Sequence, residues 1–228
     1  MFGDLIIELD PPSNRCGKCT GGKERHLTEA AVMLAYGMHL FRTVPDFVTV
    51  ELHPDGEHAK RFGIAHWLSG QGFTLKEGHG STSYCGKYVR DQQVIIVSSV
   101  PGLGDVVGRT TGLAIVAECK GGIVNTKHAG QTSRLRRGLC EAIGQLMARE
   151  KGGRQVAVVP HTEISERLAL RLVPRAKDAG IEIALVDEQG RVTESTASSG
   201  NANNLQAICL NHYLQLLDHN HLSSKRRT

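Results

Sequence analysis

The sequence predicts an α/β domain built on a mixed β-sheet with helices on its faces. Short apolar runs typical of buried strands occupy residues 94–97, 113–120, 156–159 and 181–186. Two stretches with helical apolar spacing, residues 132–149 and 163–179, separate the last three of these runs. Because strand, helix and strand follow one another in this order, parallel crossover connections are expected.

The first half of the chain begins with a strand at residues 5–9 and a loop rich in Pro, Gly and Asn. The apolar spacing from Leu27 to Phe41 then predicts a helix over residues 24–41. The segments that follow are a strand at 47–52, a helix at 58–69, a short strand at 73–75, and a loop or weak strand at 78–86.

In the middle of the chain, residues 101–104 form a predicted turn before a short strand that starts at Asp105, and residues 108–112 form a second turn. After residue 192 we expect a polar linker, a leucine-rich helix at 205–217 and a frayed basic tail at 223–228. The predicted organisation is an N-terminal strand and loop at 1–23, a main domain at 24–192, and an appendage at 193–228.

Composition and motifs argue against several classes of protein. The 228 residues carry a net charge of +4, which permits a nucleic-acid partner without requiring one. No apolar run approaches the roughly 18 residues of a membrane span, and the first ten residues lack the basic start of a signal peptide, so we expect a cytoplasmic protein with no membrane partner. The six cysteines are expected to be free thiols in a reducing compartment. Neither a G-x-S-x-G elbow nor a P-loop is present.

Charged residues at the end of the most apolar strand are the main chemical signal. Glu118 and Lys120 are two residues apart, so they point to the same face of the strand, while Cys119 points to the other. Folding the preceding hairpin brings Asp105 beside Glu118. Two carboxylates beside a lysine form a hard-oxygen site suited to Mg²⁺, with Mn²⁺ as a substitute, and to metal-assisted phosphodiester hydrolysis.

At these residues the sequence resembles the PD-(D/E)xK nuclease superfamily, which has the restriction-endonuclease-like fold. The resemblance rests on PGLGD at 101–105, on Glu118-Cys119-Lys120, and on an αβββαβ order of elements, here followed by an extra strand and a C-terminal helix. It departs from the usual pattern because Gly104, rather than a proline, precedes the aspartate.

The resemblance implies a Mg²⁺-dependent deoxyribonuclease. It implies that Asp105, Glu118 and the Cys119 carbonyl bind the metal and that Lys120 is catalytic and orients the attacking water. It also implies a further acid on the first helix, for which Glu29 is favoured over Glu24.

Basic residues surround the proposed site in the sequence, and in a nuclease they would hold backbone phosphates. They are Arg109, Lys127, His128, Arg134 and Arg137. The alternative for each of them is a solvated position on the surface. Residues 126–131 are expected to form a loop over the site.

Cys16 and Cys19 form half of a zinc site that His26 and Cys85 would have to complete. The alternative is a loop with two free thiols.

Two other functions are kept as alternatives to a DNA nuclease. One is a nucleic-acid-binding or regulatory module of the same fold without turnover, and the other is a structural α/β protein with a protein partner. A homodimer through the helix at 205–217 is a hypothesis, because cutting both strands needs two sites, and a separate targeting subunit is another.

Overall fold

A computed structural model describes residues 5–44, 48–55, 61–80, 82–110, 112–150 and 152–194, and the statements below concern these residues. The helix predicted at 205–217, the basic tail and most of the predicted linker lie outside the described residues.

Two β-sheets organise the described residues. The smaller sheet contains β1 (Ile6–Leu9), β2 (Glu24–Leu27) and β9 (Gly122–Ile123), in the order β1-β2-β9 with antiparallel pairing throughout. The larger sheet contains β3 (Thr49–Leu52), β4 (Thr74–Gly78), β5 (Gly86–Arg90), β6 (Gln93–Val97), β7 (Val106–Thr110), β8 (Leu113–Cys119), β10 (Arg154–Pro160), β11 (Ile181–Val186) and β12 (Val192–Glu194). Its order is β12-β11-β10-β8-β7-β3-β6-β5-β4.

The larger sheet is mixed, as the sequence predicts. Strands β8, β10 and β11 are parallel to one another, and β3 is parallel to β6. Strand β7 is antiparallel to both of its neighbours, β3 and β8. Five strands, β3, β6, β8, β10 and β11, therefore run in one direction, and their carboxyl ends lie along one edge of the sheet.

Helices cover both faces of this sheet. They are α1 (Glu29–Thr43), α2 (Ile64–Gly70), α3 (Ala129–Met147) and α4 (Glu163–Asp178). Ala117 and Cys119 of β8 belong to the same buried core as α1, whereas Val116 packs with Leu139 and Ala142 of α3. Alternate residues of one strand thus enter two cores, which confirms a central sheet between helical layers. None of the described helices is long and apolar enough to cross a membrane.

The first helix starts later than predicted. Residues 24–27, which the apolar spacing placed in the helix, form strand β2 and pair with β1. Helix α1 begins at Glu29, because the Thr28 side chain accepts a hydrogen bond from the Ala31 N–H at 3.2 Å and caps the helix.

Other elements also differ from the prediction. Strand β7 continues through Gly108 to Thr110, where a turn was expected. Strand β5 was not predicted, and it joins β6 through a tight turn in which Asp91 has φ +51°. Helix α3 begins at Ala129, so part of the expected loop over the site is helical. Residues 193 and 194, assigned to the linker, belong to β12 and pair with β11.

Candidate active site

The carboxyl end of β8 brings the predicted acidic residues together. Asp105 directly precedes β7, whose first residue, Val106, is opposite Ala117 of β8. This register places Asp105 beside the end of β8, where the Cys119 N–H donates a hydrogen bond to Asp105 Oδ2 at 2.7 Å. The next residue, Lys120, donates its backbone N–H to the Val158 carbonyl on the opposite side of the strand at 3.0 Å. Because backbone groups alternate in direction along a strand, the Cys119 backbone faces Asp105.

Gly104 allows this close approach. A Cβ atom at position 104 would lie 2.7 Å from Val116 Cγ1 and 2.9 Å from the Ala117 carbonyl oxygen. Both distances are too short for real contacts, and one of the two atoms belongs to the backbone of β8. The structure therefore explains why the residue before Asp105 is a glycine.

Glu118 and Lys120 lie on the same face of β8, as their spacing predicts, and this face packs against α3. Glu118 is 3% exposed, and its Oε1 accepts a hydrogen bond from Arg149, which follows the end of α3. Lys120 Nζ lies 3.5 Å from Glu141 Oε1 of α3. The sequence did not predict either partner, because Arg149 and Glu141 come from the following helical segment and carry no motif.

Of the two acids considered for the first helix, the structure brings Glu29 to the site. A Cβ atom at Gly121 would lie 2.5 Å from the Glu29 backbone nitrogen, so this glycine lets the chain after β8 pack against the start of α1. Glu24 is instead buried in β2, where Arg15 donates to it at 2.5 and 3.0 Å and His26 lies 3.1 Å away.

The carboxyl groups share a buried environment that disfavours their charged forms. Burial raises the pKa of Asp105, although the hydrogen bond from Cys119 acts in the opposite direction. Burial and the charge of Asp105 raise the pKa of Glu118 despite the Arg149 guanidinium. Burial likewise raises the pKa of Glu29. Negative charge is therefore concentrated here at a cost to stability, which is common at functional sites.

Lys120 has the opposite environment. Burial acts to lower its pKa, but the surrounding charges of Glu29, Asp105, Glu141 and Glu118 outweigh that effect and raise the pKa of Lys120. The ammonium group is therefore charged at neutral pH, in the middle of the acidic groups.

The donor chemistry of this site fits a hard divalent cation, because it combines carboxylates with a backbone carbonyl. Within the described part of the chain, no group of three or more His, Cys, Asp or Glu side chains has the geometry of a metal site. At this site the Glu118 carboxylate accepts a hydrogen bond from Arg149.

Cys16 and Cys19 do not form a zinc site within the described residues either. Both are free thiols, and Cys85 is buried, also as a free thiol. His26 lies against Glu24.

A cleft of about 810 Å³ opens beside Lys120. It is lined by the start of α1, the first half of α3 and the smaller sheet. Of the predicted phosphate-binding residues, Arg134 and Arg137 line it. Three others that line it were missed by the sequence reasoning, because they come from distant segments: Arg15, His26 and Arg61.

The remaining predicted phosphate-binding residues do not line the cleft. Arg109 lies on β7, 3.4 Å from Glu51. His128 forms the N-terminal boundary of α3, and Lys127 is exposed just before it.

Comparisons with known proteins give no relative. No family model matches the chain, and no curated protein and no solved structure matches it either.

Proposed function

We propose that this chain is a metal-dependent nuclease that hydrolyses phosphodiester bonds of DNA and has the restriction-endonuclease-like fold. The observation that carries the proposal is the convergence of Asp105, Glu118, Glu29 and Lys120 at the carboxyl end of β8, beside a cleft with basic residues. The order of elements also supports it: α1, β3, β7 after Asp105, β8 with Glu118, α3 and β10 follow the αβββαβ sequence, with α2 and β4 to β6 inserted.

In this proposal each residue of the site has a separate role. Asp105 and Glu118, with Glu29 and the Cys119 carbonyl, would hold Mg²⁺ or Mn²⁺, which would polarise a phosphoryl oxygen and lower the pKa of a bound water. The charged Lys120 orients the attacking water and offsets the negative charge that develops on the phosphate. Arg149 balances the Glu118 carboxylate when no cation does so.

The test is cleavage of supercoiled and single-stranded DNA by the full chain in Mg²⁺ or Mn²⁺, with and without EDTA. We expect the wild type to cut, EDTA to stop cleavage, and the nearly isosteric Asp105→Asn variant to lose activity while remaining folded. DNA that stays intact with both metals would contradict the proposal.

A second candidate is a nucleic-acid-binding module of the same fold without turnover. The Glu118–Arg149 pair favours it, because a carboxylate held by an arginine is less available to a metal. This candidate predicts DNA binding that survives Asp105→Asn, with no cleavage by either protein.

A further inference from the structure

The cleft beside Lys120 is small compared with a DNA duplex. Its volume of about 810 Å³ lies in the range of pockets that enclose small ligands, about 300–1,000 Å³. A space of this size can hold one or two nucleotides but cannot enclose a duplex.

Three arginines give the cleft uncompensated positive charge. Arg134 and Arg137 are three residues apart on α3, so they lie on neighbouring positions of one helix face, and Arg61 lines the cleft from the segment before α2. Among the described residues none of these three has a carboxylate partner. Arg15, which also lines the cleft, is already paired with Glu24. The free guanidinium groups are suited to successive phosphates of one strand.

Apolar side chains complete the lining. Ile7 and Leu9 contribute apolar surface to it, and Leu9 is 49% exposed, whereas Leu27 and Ile123 lie buried beneath this surface. Covering the face of an unpaired base removes apolar surface from water and is favourable, whereas the faces of paired bases are already stacked on their neighbours. Phosphate-binding and base-covering groups therefore occur in the same cleft.

We infer that the cleft binds an unpaired stretch of one or two nucleotides, so that the preferred DNA has a single-stranded end or gap beside the bond to be cut. This inference rests on the proposed function, because the same cleft contains Lys120 and Glu29 and would lead the strand to them.

The test separates binding from turnover. Binding of fluorescent DNA is measured by anisotropy in EDTA, with three probes of equal length: a single strand, a duplex with a three-nucleotide overhang, and a blunt duplex. The proteins are the wild type, Arg134→Ala, Arg137→Ala and the control Arg136→Ala, an exposed arginine of the same helix outside the cleft.

We expect the single strand and the overhang to bind at least about tenfold more tightly than the blunt duplex. Arg134→Ala and Arg137→Ala should each weaken overhang binding by about tenfold, the size of a lost charged hydrogen bond. Each should also reduce the slope of log affinity against log salt by about 0.7, whereas Arg136→Ala should stay within about twofold of the wild type.

Equal binding of blunt and overhang DNA, or equal losses in all three variants, would overturn the inference. Overhang binding that depends on Arg134 and Arg137, without cleavage in Mg²⁺ or Mn²⁺, would support the cleft and reject the nuclease. Cleavage of blunt duplex that is insensitive to both arginines would reject the cleft and retain the nuclease.

Discussion

Replacing Arg149 with alanine removes the cation that lies against the buried Glu118 carboxylate. Glu118 has a side chain that is 4% exposed and already lies near Asp105, so the lost charge cannot be replaced fully by water. Breaking a fully buried ion pair from one side costs about 3–5 kcal/mol. Because the Arg149 side chain is 34% exposed and its charge is partly screened, we expect a loss of about 2 kcal/mol at pH 8.

The loss should depend on pH, with a sign that follows from the raised pKa of Glu118. Between the ordinary glutamate pKa, about 4.3, and the raised value, the folded chain binds more protons than the unfolded chain, so stability falls as pH rises. Removing Arg149 raises the pKa of Glu118 further. The deficit of Arg149→Ala should therefore be large at pH 8 and smaller at pH 5.

Urea unfolding followed by circular dichroism at both pH values measures this difference. A loss of about 2 kcal/mol corresponds to a Tm lower by about 4–8 °C for a chain of this size. The double variant Glu118→Gln/Arg149→Ala should recover most of the stability at pH 8, and the exposed control Arg136→Ala should stay within about 0.5 kcal/mol of the wild type. The same deficit at pH 5 and pH 8, or an equal loss in the control, would refute this account of the site.

Three further predictions concern stability at single positions. Asp105→Asn should raise the Tm at pH 8 by about 2–4 °C, because it removes a buried charge among other carboxylates and keeps an acceptor for Cys119; a lower Tm would contradict this. Gly104→Ala should lower the free energy of unfolding by about 1–3 kcal/mol, because the added Cβ would collide with β8. A Cβ at Gly144 has no neighbour within 4 Å, so Gly144→Ala should raise the free energy of unfolding by up to about 1 kcal/mol in the same urea assay. Burial would raise the pKa of Glu194, but the His39 ring 3.3 Å away and the hydrogen bond from Arg154 lower it to about 2. Glu194→Gln should therefore lower the Tm at pH 7 and match the wild type near pH 2, in thermal melts across that range.

The sheet and the main helices could be predicted because their apolar patterns are local. Strands β8, β10 and β11 are apolar runs, and α3 carries a clear apolar stripe. The start of α1 was misplaced because Leu27 continues the helical spacing while its backbone pairs in β2. Strand β5 was missed because its sequence, GKYVR, lacks an apolar run and its turn uses Asp91 in the left-handed region instead of the usual glycine.

The two acids at the centre of the site could be predicted from the sequence, but the residues around them could not. Asp105 and Glu118 lie at opposite ends of one predicted hairpin, so pairing the strands brings them together. Arg149 is 31 residues from Glu118, and Arg15 comes from a loop that packs near the cleft through β2. Such long-range neighbours leave no spacing pattern in one sequence.

The most direct test of the proposed nuclease is the single-turnover rate of cleavage by Lys120→Ala. The control is Lys177→Ala, which removes the same charge from an exposed position of α4. With saturating Mg²⁺ and a labelled DNA that the wild type cuts, we expect the Lys120 variant to lose about 10²–10³-fold in rate and the control to keep the wild-type rate. Equal rates for all three proteins would contradict the role of Lys120, and with it the assignment of this site to phosphodiester hydrolysis.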